Sequence, residues 1–282
     1  MPNCMENDEL FTDSRHSFRC GSETDMKSRE TSQKLIVSGK PKVFVVCTVP
    51  GEIAVKSGNQ AEVIIDLDFM NPEDLDWNIS QKDNQVYIKC HSKGKSYSGY
   101  ILGAPFAKIQ VKVPIDSDLD LKTLSDRILL TGIHGHIVAE SSDAKIRMRG
   151  CEGTIEVKNK TGPINLENCE GSIVVKNQNG YIKLENVNGK VSAHNSTGII
   201  RFSGILSNGQ NSFSTSTGMV DIRLLGEPDL TVVASTTLGN IQCEPEIIDA
   251  RYDRGLCTCR IGAGTGKLIA KTKTNGLITI SR

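Results

Sequence analysis

The side chains of this sequence with the most versatile chemistry are its thiols, which can bind metals, form disulfides or act as nucleophiles. The chain of 282 residues contains nine cysteines: Cys4, Cys20, Cys47, Cys90, Cys151, Cys169, Cys243, Cys257 and Cys259. Cys257 and Cys259 form a C-x-C pair, and alternate residues of a strand share one face. A structural zinc site combines such a pair with a second pair or with nearby histidines. Because neither accompanies this pair, the sequence predicts no metal site.

A glycine-rich segment, GAGTGK at residues 262–267, resembles a phosphate-binding loop. The P-loop template requires glycine five places before its final Gly-Lys, and this chain has Ile261 there. The segment is followed by Leu268-Ile269-Ala270, which is typical of a strand rather than of a helix whose N-terminus binds phosphate. We therefore predict no nucleotide site.

Titratable side chains also occur close together around Gly135. His134 and His136 flank this glycine, and Glu140 and Asp143 follow shortly afterwards. Neither a Ser/His/Asp arrangement nor a pair of catalytic carboxylates can be argued for them from the sequence alone, and a few scattered titratable groups are the expected background. The sequence predicts no catalytic residues, no bound cofactor and no enzymatic activity.

Charge and hydropathy exclude several classes of protein. The 33 basic and 33 acidic residues balance, so no overall field directs the chain towards nucleic acid or an anionic membrane. The apolar runs are too short for a membrane-spanning helix, which predicts a soluble chain. The first residues are polar and acidic, without the apolar core of a secretory signal. We therefore expect a cytoplasmic protein whose odd number of cysteines are reduced thiols.

Changes in composition predict three domains. Residues 1–38 are polar and aperiodic, which is typical of a disordered tail. Residues 39–117 contain short β-type runs between turn residues and predict a small antiparallel β unit that caps residues 118–282, which carry a repeat. The strands predicted in the β unit are Lys42–Val49, Glu52–Lys56, Ala61–Asp66, Leu75–Gln81, Gln85–His91 and Ala107–Val113.

The repeat determines which elements position any functional side chain. Between Gly153 and Phe202 a glycine recurs every nine residues, with an apolar pair at the third and fifth places of each unit. The glycines are Gly153, Gly162, Gly171, Gly180, Gly189 and Gly198. Apolar residues two apart lie on one face of a strand, and glycine permits a sharp turn. Each unit is therefore one strand and one corner, and the copies must stack to bury their apolar faces.

The eighth place of the unit shows that the full period is eighteen residues. It alternates between an apolar set (Ile133, Cys151, Cys169, Val187, Ile205) and a polar set (Ser142, Lys160, Gln178, Ser196). One corner therefore packs against apolar groups and the other faces water. This predicts an all-β parallel β-solenoid with about 18 residues and two short strands per coil. Cys151 and Cys169 would be neighbours in adjacent coils, and an up-and-down antiparallel sheet stays open as an alternative.

Other solenoids of similar period do not fit. A hexapeptide helix needs an apolar residue every six places, but the six-step from Ile155 reaches Thr161 and Glu167. The calcium-binding nonapeptide needs aspartate at the sixth place. That place holds Lys158, Glu167, Lys176, Glu185 and His194 instead. Polysaccharide lyases need longer coils than these.

Three sets of outward or corner side chains are expected to form rows along the stack. Lys158, Lys176 and His194 form a basic row on one face. On the other face Arg147, Asn165, Lys183 and Arg201 lie beside Arg149, Glu167, Glu185 and Ser203, so that charges largely cancel. Asparagines at the seventh place are expected to hydrogen-bond from coil to coil: Asn159, Asn168, Asn177, Asn186 and Asn195. Exposed aromatic residues are scarce, with Tyr181 alone in the regular repeats.

The repeats, the β-rich lead-in that ends at Lys112-Val113-Pro114 and the closing segment AGTGKLIAKTKTNGLITISR resemble a bacterial adhesin-like β-repeat family of unknown function, which has eukaryotic relatives. The resemblance covers residues 40–282. It implies a right-handed parallel β-solenoid and no established catalytic residues.

The function expected from these features is that of a non-enzymatic β-solenoid scaffold or adhesin-like interaction module with an unidentified protein partner. The alternative is a carbohydrate-binding or carbohydrate-active β-helix, which would present clustered carboxylates and aromatic platforms on one face. A third hypothesis is self-association through the solenoid ends, whose strand edges are open unless capped. Residues 40–117 and the segment 244–262 are the candidate caps, and we expect 244–262 to be an elaborated loop or an irregular coil.

Overall fold

The fold consists almost entirely of β-strands. A computed structural model describes residues 27–59, 61–94, 104–244 and 248–282, and these ranges contain nineteen strands, one 3-10 turn at Pro72–Asp74 and no α-helix. These ranges accordingly contain no helix that is long and apolar enough to cross a membrane. In chain order the strands are β1 (Ser28–Ile36), β2 (Lys42–Cys47), β3 (Gly51–Ser57), β4 (Glu62–Met70), β5 (Leu75–Lys82), β6 (Gln85–Ser92), β7 (Phe106–Val113), β8 (Asp118–Thr131), β9 (His134–Arg149), β10 (Glu152–Thr161), β11 (Ile164–Glu167), β12 (Glu170–Asn179), β13 (Ile182–Leu206), β14 (Gln210–Leu224), β15 (Leu230–Thr236), β16 (Gly239–Cys243), β17 (Ile248–Asp253), β18 (Leu256–Ile261) and β19 (Gly266–Ser281).

The strands are arranged in two rows, because each long strand bends and its two halves pair with different neighbours. The front row runs β5–β6–β2–β8–β9–β10–β12–β13–β14–β19–β15–β18–β17. The back row runs β1–β4–β7–β3–β8–β9–β11–β13–β14–β19–β16. The inward side chains of both rows form one apolar core.

From β8 to β13 successive coils are parallel and are offset by eighteen residues. Ile155 pairs with Ile173 in the front row, and Ile164 pairs with Ile182 in the back row. These side chains are fully buried, and each such burial stabilises the fold by roughly 1.5–3 kcal/mol. The predicted all-β parallel solenoid with two strands per coil is confirmed, and the up-and-down antiparallel alternative is wrong.

The repeated glycines are required by the close approach of neighbouring coils. Gly171 has a φ of 122°, and a Cβ atom there would overlap the backbone carbonyl oxygen of Gly153 in the preceding coil. Gly153 stands in the same relation to Gly135. Only glycine combines this backbone angle with such an approach, which explains why it returns in each unit.

The lead-in contains all six predicted strands, but only part of it is the expected antiparallel unit. The pairs β5–β6 and β4–β7 are antiparallel. β2 and β3, by contrast, pair in parallel with β6, β7 and β8, so that they form a first coil of the solenoid. Alternation of apolar residues does not distinguish the two kinds of pairing, because both bury every second side chain. The core is continuous from Val37 to Ile280, and the three-domain division stays a prediction.

Strand β1 corrects the prediction of a disordered tail over residues 1–38 for the part that the structure describes. β1 pairs antiparallel with β4 at the outer edge of the back row. Its side chains are mostly exposed, so a polar composition is compatible with a strand that is held by backbone hydrogen bonds. The Arg29 guanidinium also lies 5.4 Å from the centre of the Trp77 ring, within range of a cation–π contact. Residues 1–26, with Cys4 and Cys20, lie outside the described residues.

The C-terminal end departs from simple stacking. β19 lies between β14 and the strands β15 and β16, although it follows all three in the chain. The segment 244–262, predicted to be an elaborated loop or irregular coil, instead contains an antiparallel hairpin, β17–β18, that adds to β15. The nine-residue glycine spacing is lost in this hairpin because it does not stack as a coil. The hairpin covers the end of the front row, and β16 is the last described strand of the back row.

Candidate functional site

An open groove of about 590 Å³ runs along the water-facing corner of the front row. With coils about 4.8 Å apart, the five coils that line it extend over about 20 Å. The groove side chains come from the sixth, seventh and eighth places of the repeat unit. They are Lys122, Thr123, Glu140, Ser141, Ser142, Lys158, Asn159, Lys160, Lys176, Asn177, Gln178, His194 and Ser196. We call this surface the corner groove.

The basic row predicted from the sequence forms one wall of the corner groove. Lys158 is the register partner of Lys176, which is the partner of His194. The predicted alignment is therefore confirmed. The row also continues to Glu140 and Lys122 in the preceding coils, which the sequence analysis did not include because their repeats are imperfect.

Glu140 balances only part of the positive charge in the corner groove. The Lys158 Nζ donates to a Glu140 carboxylate oxygen at 2.8 Å, and the Lys122 Nζ lies 3.8 Å from the other oxygen. The Lys158 ammonium consequently lowers the pKa of the Glu140 carboxyl, and the carboxylate raises the pKa of Lys158. In the described part of the chain neither Lys160 nor Lys176 has an acidic partner within ion-pair distance. The groove therefore presents an excess of positive charge to solvent.

A ladder of buried asparagines supports the floor of the corner groove. Asn159, Asn177 and Asn195 are at most 5% exposed. Their Nδ2 groups donate to the backbone carbonyls of Ala144, Gly162 and Gly180 at 2.8–3.0 Å. These bonds link each coil to its predecessor through the backbone rather than through the predicted amide-to-amide contact. At the opposite corner the predicted contact does occur, because Asn186 donates to the Asn168 side-chain oxygen at 2.6 Å.

The mixed row on the back face is neutralised by ion pairs, as its composition predicts. Glu167 lies 3.4 Å from Arg147 and 3.5 Å from Arg149. Lys183 lies 2.6 Å from Glu185, and Arg201 lies 3.2 Å from Asp221. Such exposed pairs contribute little to stability, but they leave this face without the charge excess of the corner groove.

Cys151 and Cys169 are buried neighbours in the apolar corner row, as predicted. The adjacent Cys151 sulfur and burial raise the pKa of the Cys169 thiol, so this thiol stays protonated and is a poor nucleophile. Ile205, predicted as the last member of the row, is 48% exposed, and Leu206 takes the inward position instead.

The structure brings together three thiols near the C-terminal end. Cys257 and Cys259 share the inward face of β18, as the C-x-C spacing predicts, and both are buried. Cys243 of β16 joins them from the back row, and all three sulfur atoms lie within 4.8 Å of one another. The sequence analysis missed Cys243 because the pairing of the β17–β18 hairpin with β15 has no local signature in the sequence.

Neither the titratable residues around Gly135 nor the glycine-rich segment 262–267 forms a site in the structure. His134 lies 3.8 Å from Glu152, and the His136 backbone N–H donates to Asp118. Asp143 is the register partner of Thr161 and follows the two histidines by nine and seven residues, which is roughly 23–30 Å of extended strand. In the glycine-rich segment 262–267, the backbone N–H groups of Gly264 and Thr265 and the Thr265 hydroxyl donate to the Asp229 carboxylate, which lowers the pKa of Asp229. These three donors of the glycine-rich segment therefore bind the Asp229 side chain of the protein itself.

Comparison with known proteins identifies similar proteins of this architecture. The family model described as Toastrack DUF4097 matches residues 51–251. A putative adhesin from Bacteroides fragilis is 15% identical, with 89% of this chain and 97% of that chain covered and a TM-score of 0.46. A putative cell adhesion protein from Clostridium sporogenes is 11% identical over 90% of this chain and 99% of that chain, with a TM-score of 0.27. A putative adhesin from Parabacteroides distasonis is 10% identical over 89% and 97%, with a TM-score of 0.32. None of the curated proteins matches the sequence.

Proposed function

Since the chain belongs to the Toastrack DUF4097 family, we propose that it is a non-enzymatic β-solenoid scaffold that binds an acidic segment of a protein partner along the corner groove. The observation that carries this proposal is the excess of lysine over carboxylate in the groove, where Lys160 and Lys176 have no acidic partner within the described residues. The backbone beneath them is held by stacked coils, so the lysines project from fixed points along the groove before a partner arrives. Preorganised charge of this kind raises association rates and favours a complementary partner.

The composition of the corner groove favours a protein segment over a sugar or a nucleic acid. Among the described residues that line it there is no phenylalanine, tyrosine or tryptophan, so the large ring faces on which sugars or bases usually stack are missing there. Glu140 is the one carboxylate among its lining residues, whereas glycoside hydrolysis generally uses a pair. The carbohydrate alternative therefore lacks supporting groups in this groove.

A charge series in the groove tests the proposal. We expect the double variant Lys160→Ala/Lys176→Ala to bind a synthetic poly-glutamate peptide about fivefold to thirtyfold more weakly, at about 0.5–1 kcal/mol per lost charge contact. Glu140→Gln is expected to bind more tightly because it removes the carboxylate that neutralises Lys158. Isothermal titration calorimetry or fluorescence anisotropy at low salt measures both effects.

The matched control for this series is Lys183→Ala on the back face, where Lys183 pairs with Glu185. This variant is expected to bind like the wild type. Equal weakening by Lys183→Ala and the groove variant would place the binding surface elsewhere. Binding of a sulfated polysaccharide but not of the peptide would contradict the assignment to a protein partner.

Two further expectations accompany this proposal. We propose that the chain works in the reducing cytoplasm, which the odd number of cysteines supports and which thiol alkylation inside cells would test. Self-association through the solenoid ends also stays a proposal. It is supported by β16, which pairs only with β19 among the described strands, and light scattering at high concentration would test it.

A further inference from the structure

The three thiols near the C-terminal end lie where the two rows of strands face each other. Cys243 is at the end of β16 in the back row, and Cys257 and Cys259 are on β18 in the front row. The Cys257 and Cys259 side chains are 0% and 5% exposed, and Cys243 is half-buried. The Sγ atoms of Cys243 and Cys257 are 3.8 Å apart, and every pair in the group lies within 4.8 Å.

The local sequence explains why these three side chains converge. Cys243 occupies the inward fifth place of the unit that begins at Gly239, so it points towards the core as the apolar residues of other coils do. Cys257 and Cys259 alternate with exposed or half-exposed residues on β18, which places both on the inward face. The hairpin then pairs with β15 and brings that face opposite β16.

The spacing of the sulfur atoms matches that of thiolates around a single metal ion. Zinc binds thiolate sulfur at about 2.3 Å, so two sulfurs at tetrahedral positions are about 3.8 Å apart. The Cys243–Cys257 separation has this value. A disulfide, by contrast, requires sulfur atoms about 2.05 Å apart.

We propose that Cys243, Cys257 and Cys259 form a binding site for one thiophilic d10 metal ion, Zn²⁺ or Cu⁺. Thiolates are soft ligands that prefer such ions, and within the described ranges no histidine or carboxylate joins the cluster. Three sulfurs complete a trigonal site for Cu⁺, and they leave the fourth position of a tetrahedral Zn²⁺ site open to water or to a ligand from a partner. Binding breaks three S–H bonds, forms three metal–sulfur bonds and releases three protons, without any change of oxidation state.

The thiols must lose their protons before they bind a metal ion. Neighbouring sulfur and burial raise the pKa of Cys243, and burial with the adjacent Cys243 raises the pKa of Cys257. Burial and the two sulfurs raise the pKa of Tyr252 to about 12, so its hydroxyl remains a hydrogen-bond donor beside them. Because protons and metal compete, the apparent metal affinity is expected to rise with pH.

Metal binding would also connect parts of the C-terminal end that share few other contacts. β16 and β18 belong to different rows and are not hydrogen-bonded to each other in the described sheet. An ion bound to both would join the hairpin to the back row, and a ligand that binds only the folded state stabilises it. The thermal midpoint is therefore expected to rise when the ion is added to the reduced, metal-free chain.

The test uses the full chain, reduced with a phosphine and stripped of metal. Zn²⁺ and Cu⁺ are added separately in competition with a chromophoric chelator, and Co²⁺ serves as a spectroscopic probe of thiolate ligation. We expect one equivalent of Zn²⁺ or Cu⁺ to bind, with affinity lowered at least about a hundredfold in Cys243→Ala and in Cys257→Ala. Cys169→Ala, which removes a buried thiol outside the cluster, is the matched control and is expected to bind normally.

Each outcome of this test either supports or overturns the proposal. The ion that binds more tightly identifies the metal, and Cys259→Ala provides a second variant should either of the others fail to fold by circular dichroism. Absence of binding by the reduced wild type overturns the site. Unchanged binding in folded Cys243→Ala or Cys257→Ala overturns it too, as does a disulfide between these residues in protein alkylated directly in cells.

Discussion

Gly171→Ala is expected to destabilise the chain by at least about 3 kcal/mol. Gly171 has a φ of 122°, which disfavours any side chain, and the new methyl group would overlap the Gly153 carbonyl oxygen of the preceding coil. Two backbones would have to separate, and the coil-to-coil hydrogen bonds between β10 and β12 would weaken with them. The midpoint of urea unfolding, followed by circular dichroism, measures the effect.

Gly209→Ala is the matched control for this prediction. Gly209 does not have a positive φ, and the nearest atoms to an added Cβ are at ordinary contact distances of 3.7 and 3.8 Å. We expect its unfolding free energy to change by no more than about 1 kcal/mol. Similar destabilisation by both substitutions would contradict the proposed role of the repeated glycines.

Asn177→Ala is expected to cost about 2–4 kcal/mol, because two carbonyl groups lose a buried donor. The Asn177 Nδ2 donates to Gly162 O at 3.0 Å and to Asn179 O at 3.2 Å, and the side chain is 2% exposed. Loss of these bonds should also increase hydrogen exchange at the corner between the coils. Chemical denaturation together with amide hydrogen exchange measures both consequences.

The neighbouring Asn179→Ala provides the control, since the Asn179 side chain is exposed on the same corner. Its substitution should change stability by no more than about 0.5 kcal/mol. If Asn177→Ala were equally mild, the asparagine ladder would be a product of turn composition rather than a structural support.

The regular coils could be predicted from the sequence because the residues that determine the strand and the corner recur within each repeat unit. A glycine and an inward pair such as Ile173 and Val175 recur in all six clean copies, and a corner asparagine recurs in five of them. Each is explained by one contact to the adjacent coil. The eighteen-residue period followed from the alternation at the corners. This local redundancy accounts for the confirmed fold class and for the alignment of Lys158, Lys176 and His194.

The order of strands at the two ends could not be predicted in the same way. β19 pairs with β14, β15 and β16, yet its glycine-led units resemble those of any other coil. Because the edges of equivalent coils are similar, the repeat pattern does not specify which unit pairs with which. The polar strand β1 was missed for a different reason: its backbone pairs with β4 while most of its side chains face solvent.

The two candidate sites differ correspondingly in how much of them the sequence reveals. The corner groove follows from the repeat, because residues eighteen apart become neighbours, and only its extension to Lys122 and Glu140 needed the structure. The thiol cluster depends on the hairpin β17–β18, which returns Cys257 and Cys259 to the vicinity of Cys243. The corner groove lies on the regular coils, whereas the thiol cluster lies on the irregular C-terminal end of the same sheet.

Proximity labelling in the native cell, followed by direct binding of the purified candidates, tests the proposed interaction module most directly. It compares the wild type with Lys160→Glu/Lys176→Glu in the corner groove and with Lys183→Glu on the back face. We predict that the wild type and Lys183→Glu label the same protein with an acidic segment, and that the groove variant loses both its labelling and its binding in solution. Identical neighbours and equal affinities for all three forms would contradict the account.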